Sequence, residues 1–200
     1  MFYEPAKRNH GLPHDPFKGI VAPRPIGWIG SYAEDGTANL APYSFFNAIG
    51  SAPPLVCFAS EGYKDSVANI DKTGAFSCNL VSYDLKDQMN KSSASVPHSV
   101  NEFDLAGLRE EKCRLVNAPY VGEAPVVMEC VHLETKQMKD RHGIQTPSTV
   151  VFGEVVGIYI DDSMLRNGIL DARRLRPVAR MGYREYSVAD TPFEMMRPDG

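Results

Sequence analysis

Residues Ser148 to Ile160 form a long run that is apolar on both alternating faces: Val150, Phe152, Val156, Ile158 and Ile160 on one, Val151, Val155 and Tyr159 on the other. A strand with that pattern is covered on both sides. One side meets the core of a sheet or barrel, and the other meets a helix or a second chain. A second apolar run, Val126 to Thr135, precedes it.

The first half of the chain is read as short strands joined by tight turns. Ile26 to Tyr32 is a strand that ends at Glu34-Asp35-Gly36, where Asp-Gly supplies the left-handed turn geometry of a hairpin. The return strand starts near Thr37 and is interrupted by Pro42, which places it at an edge or a bulge. Ser44 to Ile49 continues extended, and Pro53-Pro54 introduces another strand, Leu55 to Ser60. A short helix follows, with Asp65 or Ser66 as its N-cap, Val67 and Ile70 on one face and Gly74 at its end. Ala75 to Val81 reads as a strand, and Asp84 to Ser93 as a helix with Leu85 and Met89 four apart. Residues Ser95 to Gly122 are loop-rich, and Met181 to Gly200 is a tail without strong period. The 200 residues make one domain, 1–200, with an N-terminal arm over 1–18 and a C-terminal tail over 181–200. Its class is mainly β, a β-barrel with short helices.

Composition narrows the chemistry. A net charge of −4 argues against nucleic acid or an anionic membrane as the general partner. The N-terminus has no apolar signal core, and no run approaches the length of a membrane span, so the expected location is the cytoplasm. The four cysteines form no C-x-x-C pair; Cys57, Cys78 and Cys130 lie in apolar runs and are read as buried. His10 and His14 are separated by Gly11 and Pro13, which disfavour the helix that would align them, so no metal site is expected. G-x-G-x-x-G, Walker A and G-x-S-x-G motifs are absent.

Two segments carry chemistry. Lys64-Asp65-Ser66 opens a helix directly after a strand, where free backbone N–H groups, a hydroxyl and a lysine suit an anion. An ordinary helix cap with an exposed lysine explains the same residues. Asn39 to Asn47 combines small residues, Pro42, Ser44 and Asn47 with aromatics, which lets a flat ligand approach the main chain; a bulged barrel strand with core aromatics is the competing explanation. Because the segments lie on consecutive elements, one ligand with a planar ring and a terminal phosphate can touch both.

In order, Pro23-Arg24-Pro25-Ile26-Gly27-Trp28-Ile29, Asn39-x-Ala41-Pro42-Tyr43-Ser44-Phe45-Phe46-Asn47, Lys64-Asp65-Ser66-x-x-Asn69-Ile70, Phe76 to Val81 and Val151-Phe152-Gly153-Glu154-Val155 resemble the flavin reductase-like, FMN-binding split-barrel family. The resemblance covers about residues 20 to 160. It implies a six-stranded antiparallel Greek-key-like split barrel, a homodimer, and one FMN per subunit near the dimer interface. By position it implies that Ala41, Pro42, Tyr43, Ser44 and Asn47 line the flavin ring, and that Ser60, Lys64, Asp65 and Ser66 hold the phosphate end. Asn79 and Val81 become backbone contacts to ring or ribityl chain, and Arg24 suits an anionic group or a structural ion pair. NAD(P)H is the implied co-substrate, and a flavoredoxin-like carrier serving a redox protein partner, or a non-catalytic FMN-binding module, is the alternative. Many members carry a histidine before the late G-E-V strand; here that stretch is Gln145-Thr146-Pro147-Ser148-Thr149. Arg180 and Tyr183 are then the expected alternative contacts for a dinucleotide.

Overall fold

The computed structural model describes residues 1–198; the last two positions of the expected tail lie outside the described residues. The arm ends in α1 (Phe17–Ile20), followed by β1 (Arg24–Pro25), β2 (Gly27–Tyr32), β3 (Ala38–Tyr43), β4 (Phe46–Ser51) and β5 (Pro54–Glu61). Next come α2 (Asp65–Thr73), β6 (Ala75–Asn79), α3 (Lys86–Lys91), α4 (Glu102–Ala106), β7 (Glu110–Lys112) and β8 (Pro119–Val121). The two long strands are β9 (Val126–Lys139) and β10 (Gln145–Ile160). β11 (Leu165–Arg166), β12 (Ile169–Leu170), α5 (Ala172–Leu175), β13 (Val178–Arg180) and β14 (Tyr186–Val188) complete the strands and α-helices, beside 3-10 turns at Pro5–Lys7, Tyr83–Leu85 and Asp162–Met164.

Seven strands form one antiparallel sheet in the order β3-β2-β6-β9-β10-β5-β4. β3 and β4 are its opposite edges, yet only Ser44 and Phe45 separate them in sequence. At about 3.5 Å per residue those two positions cannot cross a flat sheet. The sheet must curl until its edges come together at the Ser44–Phe45 link, where they stay unpaired with each other, which makes an open, split barrel. Contacts across the seam agree: the rings of Tyr43 on β3 and Phe58 on β5 have centroids 4.6 Å apart. An added Cβ at Gly27 on β2 would lie 2.5 Å from the Phe46 ring on β4. The count is seven rather than six because the segment that crosses Pro42 contributes a strand to each edge.

Trp28 and Ile29 are neighbours on β2 and both fully buried. Successive strand side chains point to opposite faces, so both faces of the sheet are covered. On one face Ile29, Phe58, Phe76 and Val151 pack with Val67 and Ile70 of α2. On the other Trp28, Leu40, Val121 and Val127 pack with Met89 of α3 and Phe103 of α4.

Turn chemistry is as expected at two places. Gly36 has φ +88° in the β2–β3 turn, where Asp35 Oδ1 accepts from Thr37 N at 2.9 Å. Gly74 closes α2 at φ +73°. Elsewhere the structure corrects the reading. The α2 N-cap is Lys64, not Asp65 or Ser66, and no side chain caps it. Cys57, which alternates off the core face of β5, is half-buried rather than buried; Cys78, Cys113 and Cys130 are buried. The loop-rich stretch contains α4 and the β7–β8 hairpin, and the tail forms β14, which pairs with β13 and through it with β1. On β10, Val156 and Ile158 stand exposed beside Tyr159, because register shifts break the simple alternation. No helix among the described residues is long and apolar enough to cross a membrane, and none of their acidic, histidine and cysteine side chains form a metal-binding cluster.

Candidate functional site

Among the described residues the outer edge of β3 has no strand beside it. Leu40 N donates to the Glu102 carboxylate at 3.0 Å instead of to β2. Backbone groups alternate in direction along an antiparallel strand, so Pro42, two residues on, also faces outward. The missing proline N–H therefore costs no ladder bond, and the Pro42 carbonyl remains on the outer edge as an acceptor. The expectation of an edge strand is met.

A groove of about 330 Å³ runs along this edge. Asn39, Ala41, Pro42 and Tyr43 form its floor, and Lys64, Asp65 and Ser66 at the start of α2 form one wall. Ser92 to Val96, after α3, and Glu102 form the other. At the α2 end, the first-turn N–H groups lack a side-chain cap and carry the positive end of the helix dipole. Lys64 is exposed there, while the Asp65 carboxylate turns to His98 at 3.4 Å. Ser66 is buried, and its hydroxyl donates to Asn39 Oδ1 at 2.7 Å. Asn39 Nδ2 donates in turn to both Glu102 oxygens at 3.2 Å. This chain fixes the Asn39 amide and commits the single Ser66 proton, leaving Ser66 as an acceptor. Burial raises the Glu102 carboxyl above its ordinary value, against the pull of Leu40 N–H. Burial likewise raises the Tyr43 phenol, so it stays protonated near neutrality.

A second lobe of about 400 Å³ adjoins the first, with Pro42 and Ser93 lining both. Arg24, Ser44, Arg180 and Tyr183 line it. Arg24 is held by backbone carbonyls rather than an ion pair: Nη1 donates to Lys18 O and Val21 O, and Nη2 to Met181 O at 2.9 Å. Its Nε is buried without a partner. Burial lowers its pKa, with a further push from Arg180.

The two lobes thus gather Arg24, Ala41, Pro42, Tyr43, Ser44, Lys64, Asp65 and Ser66. Four other residues singled out from the sequence lie off the groove. Asn47 is exposed on β4, where its Oδ1 accepts from Ala48 N. Ser60 is buried and donates to Gly62 O at 2.8 Å. The Asn79 side chain spans the core, donating to Trp28 O and accepting from Val121 N, both at 2.9 Å. Val81 is core, and its carbonyl accepts from Val178 N. Conversely, Ser92 to Val96 and Glu102 escaped sequence reasoning, and Asn39 opened a segment singled out from the sequence without being given a role of its own. The cluster Ser92-Ser93-Ala94-Ser95 was a usable sign of close approach after a helix. Glu102 had no local sign, since its partner Leu40 lies 62 residues away.

A model of the flavin reductase like domain matches residues 21–179. A protein of Aquifex aeolicus is 34% identical over 174 residues, which is 84% of this chain and 85% of that protein. Nitrilotriacetate monooxygenase component B from Bacillus cereus matches with a TM-score of 0.88 at 25% identity over 98% of each chain. The flavoredoxin of Desulfovibrio vulgaris shares the fold with a TM-score of 0.77 at 23% identity, over 88% of this chain and 91% of its own. An edge strand opened by a proline, a helix start beside it and a domain match spanning both have one reading: the chain belongs to the flavin reductase-like family.

Proposed function

We propose that this chain binds FMN along the β3 edge and acts as an oxidoreductase, passing electrons from NADH or NADPH through the flavin to a further acceptor. The observation that carries the reading is the continuous two-lobed groove, with Lys64 and an uncapped helix start at one end and the Ala41–Ser44 wall in the middle. The residues fit the cofactor. Lys64 and the first-turn N–H groups of α2 would hold its phosphate, and Ser66, its proton committed to Asn39, would accept from a ribityl hydroxyl. Ala41, Pro42, Tyr43 and Ser44 would line the ring, with the Pro42 carbonyl available to a ring N–H.

The bound flavin would supply the redox chemistry, for which the chain offers no side-chain substitute. The chain's own work is positioning. Glu102 and Asn39 hold Ser66 in one orientation, α2 is anchored by buried Val67 and Ile70, and Ser92 to Val96 wall the groove opposite α2. The second lobe, opening beside Pro42 and Ser44, would admit the nicotinamide.

The test is spectroscopic. Apo-protein given FMN should acquire bound oxidised-flavin absorbance, with FMN binding far more tightly than riboflavin. Equal affinities would remove the phosphate assignment. A second reading, an electron carrier for a protein partner, is favoured by the absence of histidine from Gln145 to Thr149. Anaerobic mixing with NADH and NADPH separates the two: bleaching no faster than for free FMN selects the carrier.

A further inference from the structure

The register of β1 against β13 sets Arg24 directly opposite Arg180. Like charges in that relation repel, and among the described residues neither guanidinium has a carboxylate partner. Neutral groups hold both. Arg24, 6% exposed, is fixed by three carbonyls, and its Nε is unpaired. Arg180 donates to the Tyr183 carbonyl and the Tyr186 hydroxyl, and its guanidinium lies 4.4 Å from the Tyr186 ring centre. Both line the larger lobe, whose other charged groups are Lys18 and Asp15. Lys18 is 3.4 Å from Glu61, and the Asp15 carboxylate accepts from Phe17 N at 2.9 Å.

Two guanidinium groups kept side by side at full charge, in a chain whose net charge is −4, leave that charge to be met from outside. The planar fork of arginine matches phosphate and carboxylate oxygens, and a partly buried pair binds them more strongly than an exposed one. We propose that Arg24 and Arg180 form an oxyanion subsite that takes the phosphate or carboxylate of the small redox partner entering the groove beside Pro42. Arg180 is the direct donor, since each of its Nη atoms commits one of two hydrogens, and Arg24, with both Nη1 hydrogens and one on Nη2 held by carbonyls, contributes charge and holds the strand. The subsite makes the chain selective for anionic partners. Its role in turnover rests on the flavin reading, whereas the binding itself does not.

Calorimetric titration of ADP-ribose and of benzoate, into the chain with and without FMN, tests this. At least one probe should bind, and Arg180→Gln should weaken it about tenfold or more while leaving FMN affinity unchanged. Arg180→Lys, which keeps the charge and loses the fork, should fall between them and guards against misfolding of the first variant. ADP-ribose binding identifies a diphosphate source, benzoate binding a carboxylate one. Failure of both probes to bind wild type at millimolar concentration, or a Kd indifferent to both substitutions, overturns the proposal. So does a loss in Arg180→Gln of affinity for FMN but not riboflavin, because the flavin's own phosphate would then lie there. If FMN fails to bind and ADP-ribose still binds through Arg180, the flavin reading falls and the subsite stands.

Discussion

Lys64 and Ser66 are two residues apart and do different things. Lys64 is exposed at an uncapped helix start, free to meet an anion, whereas the Ser66 proton is already spent on Asn39. A charge-assisted bond to phosphate contributes about 1.5–3 kcal/mol. Lys64→Ala should therefore weaken FMN by about tenfold or more and leave riboflavin nearly unchanged; equal losses would place the phosphate elsewhere. Ser66→Ala should instead weaken both ligands alike, since it breaks the Asn39 orientation rather than a phosphate contact. Glu102, at the far end of that network, gives a pH signature. Its carboxyl is raised by burial, so between its unfolded and folded values the folded chain binds more protons than the unfolded one. Stability should fall as pH rises through that window. Urea unfolding from roughly pH 4 to 7 should show the fall in wild type and its loss in Glu102→Gln; parallel profiles would mean that Glu102 ionises freely. The motif Asn39 to Asn47 made the floor of this site legible, and Lys64-Asp65-Ser66 made its anion end legible. Glu102 was not, because what makes it special is burial against a strand distant in sequence.

At the scale of elements, what could be read was whatever depends on local chemistry. Asp35-Gly36 forces its turn, Gly74 ends α2, and Pro42 keeps β3 at an edge, each for a reason contained in two or three residues. α4, β7, β8 and β14 were missed for the opposite reason. Each has three to five residues, too few to show a period, and exists because another element receives it. β14, for example, is a strand only because β13 pairs with it through Val178 to Arg180. The seam of the barrel is likewise a long-range fact, and it yields a test at Gly27. An added methyl there would press on Phe46 across the seam. Overpacking of this kind costs about 1–3 kcal/mol, so Gly27→Ala should lower the urea midpoint clearly. An unchanged midpoint would show that the Phe46 ring swings aside freely and that the seam is loosely packed.

For the whole molecule, the open question posed by the sequence was what covers the second face of the Ser148–Ile160 run. β10 pairs with β5 from Ser148 to Glu154; beyond that point its sole strand partner among the described residues is β9. Val155 turns into the core, but Val156, Ile158 and Tyr159 are 40%, 58% and 45% exposed, and Leu115 lies beside them at 66%. Leu115, Ile158 and Tyr159 line one surface groove of about 430 Å³, so the apolar side chains are contiguous rather than scattered. A half-unpaired strand carrying such a patch would invite aggregation if left bare. A second copy of the chain, presenting the same patch about a twofold axis, covers it with the fewest assumptions. We therefore expect a homodimer, as the family resemblance also implies. Light scattering at micromolar concentration should give twice the 22.1 kDa chain mass. Ile158→Asp, which places a charge in the patch and lies outside both lobes of the proposed flavin groove, should shift that mass toward the monomer while circular dichroism stays unchanged. A wild-type mass near 22.1 kDa would refute the dimer and leave the exposed strand to some other partner.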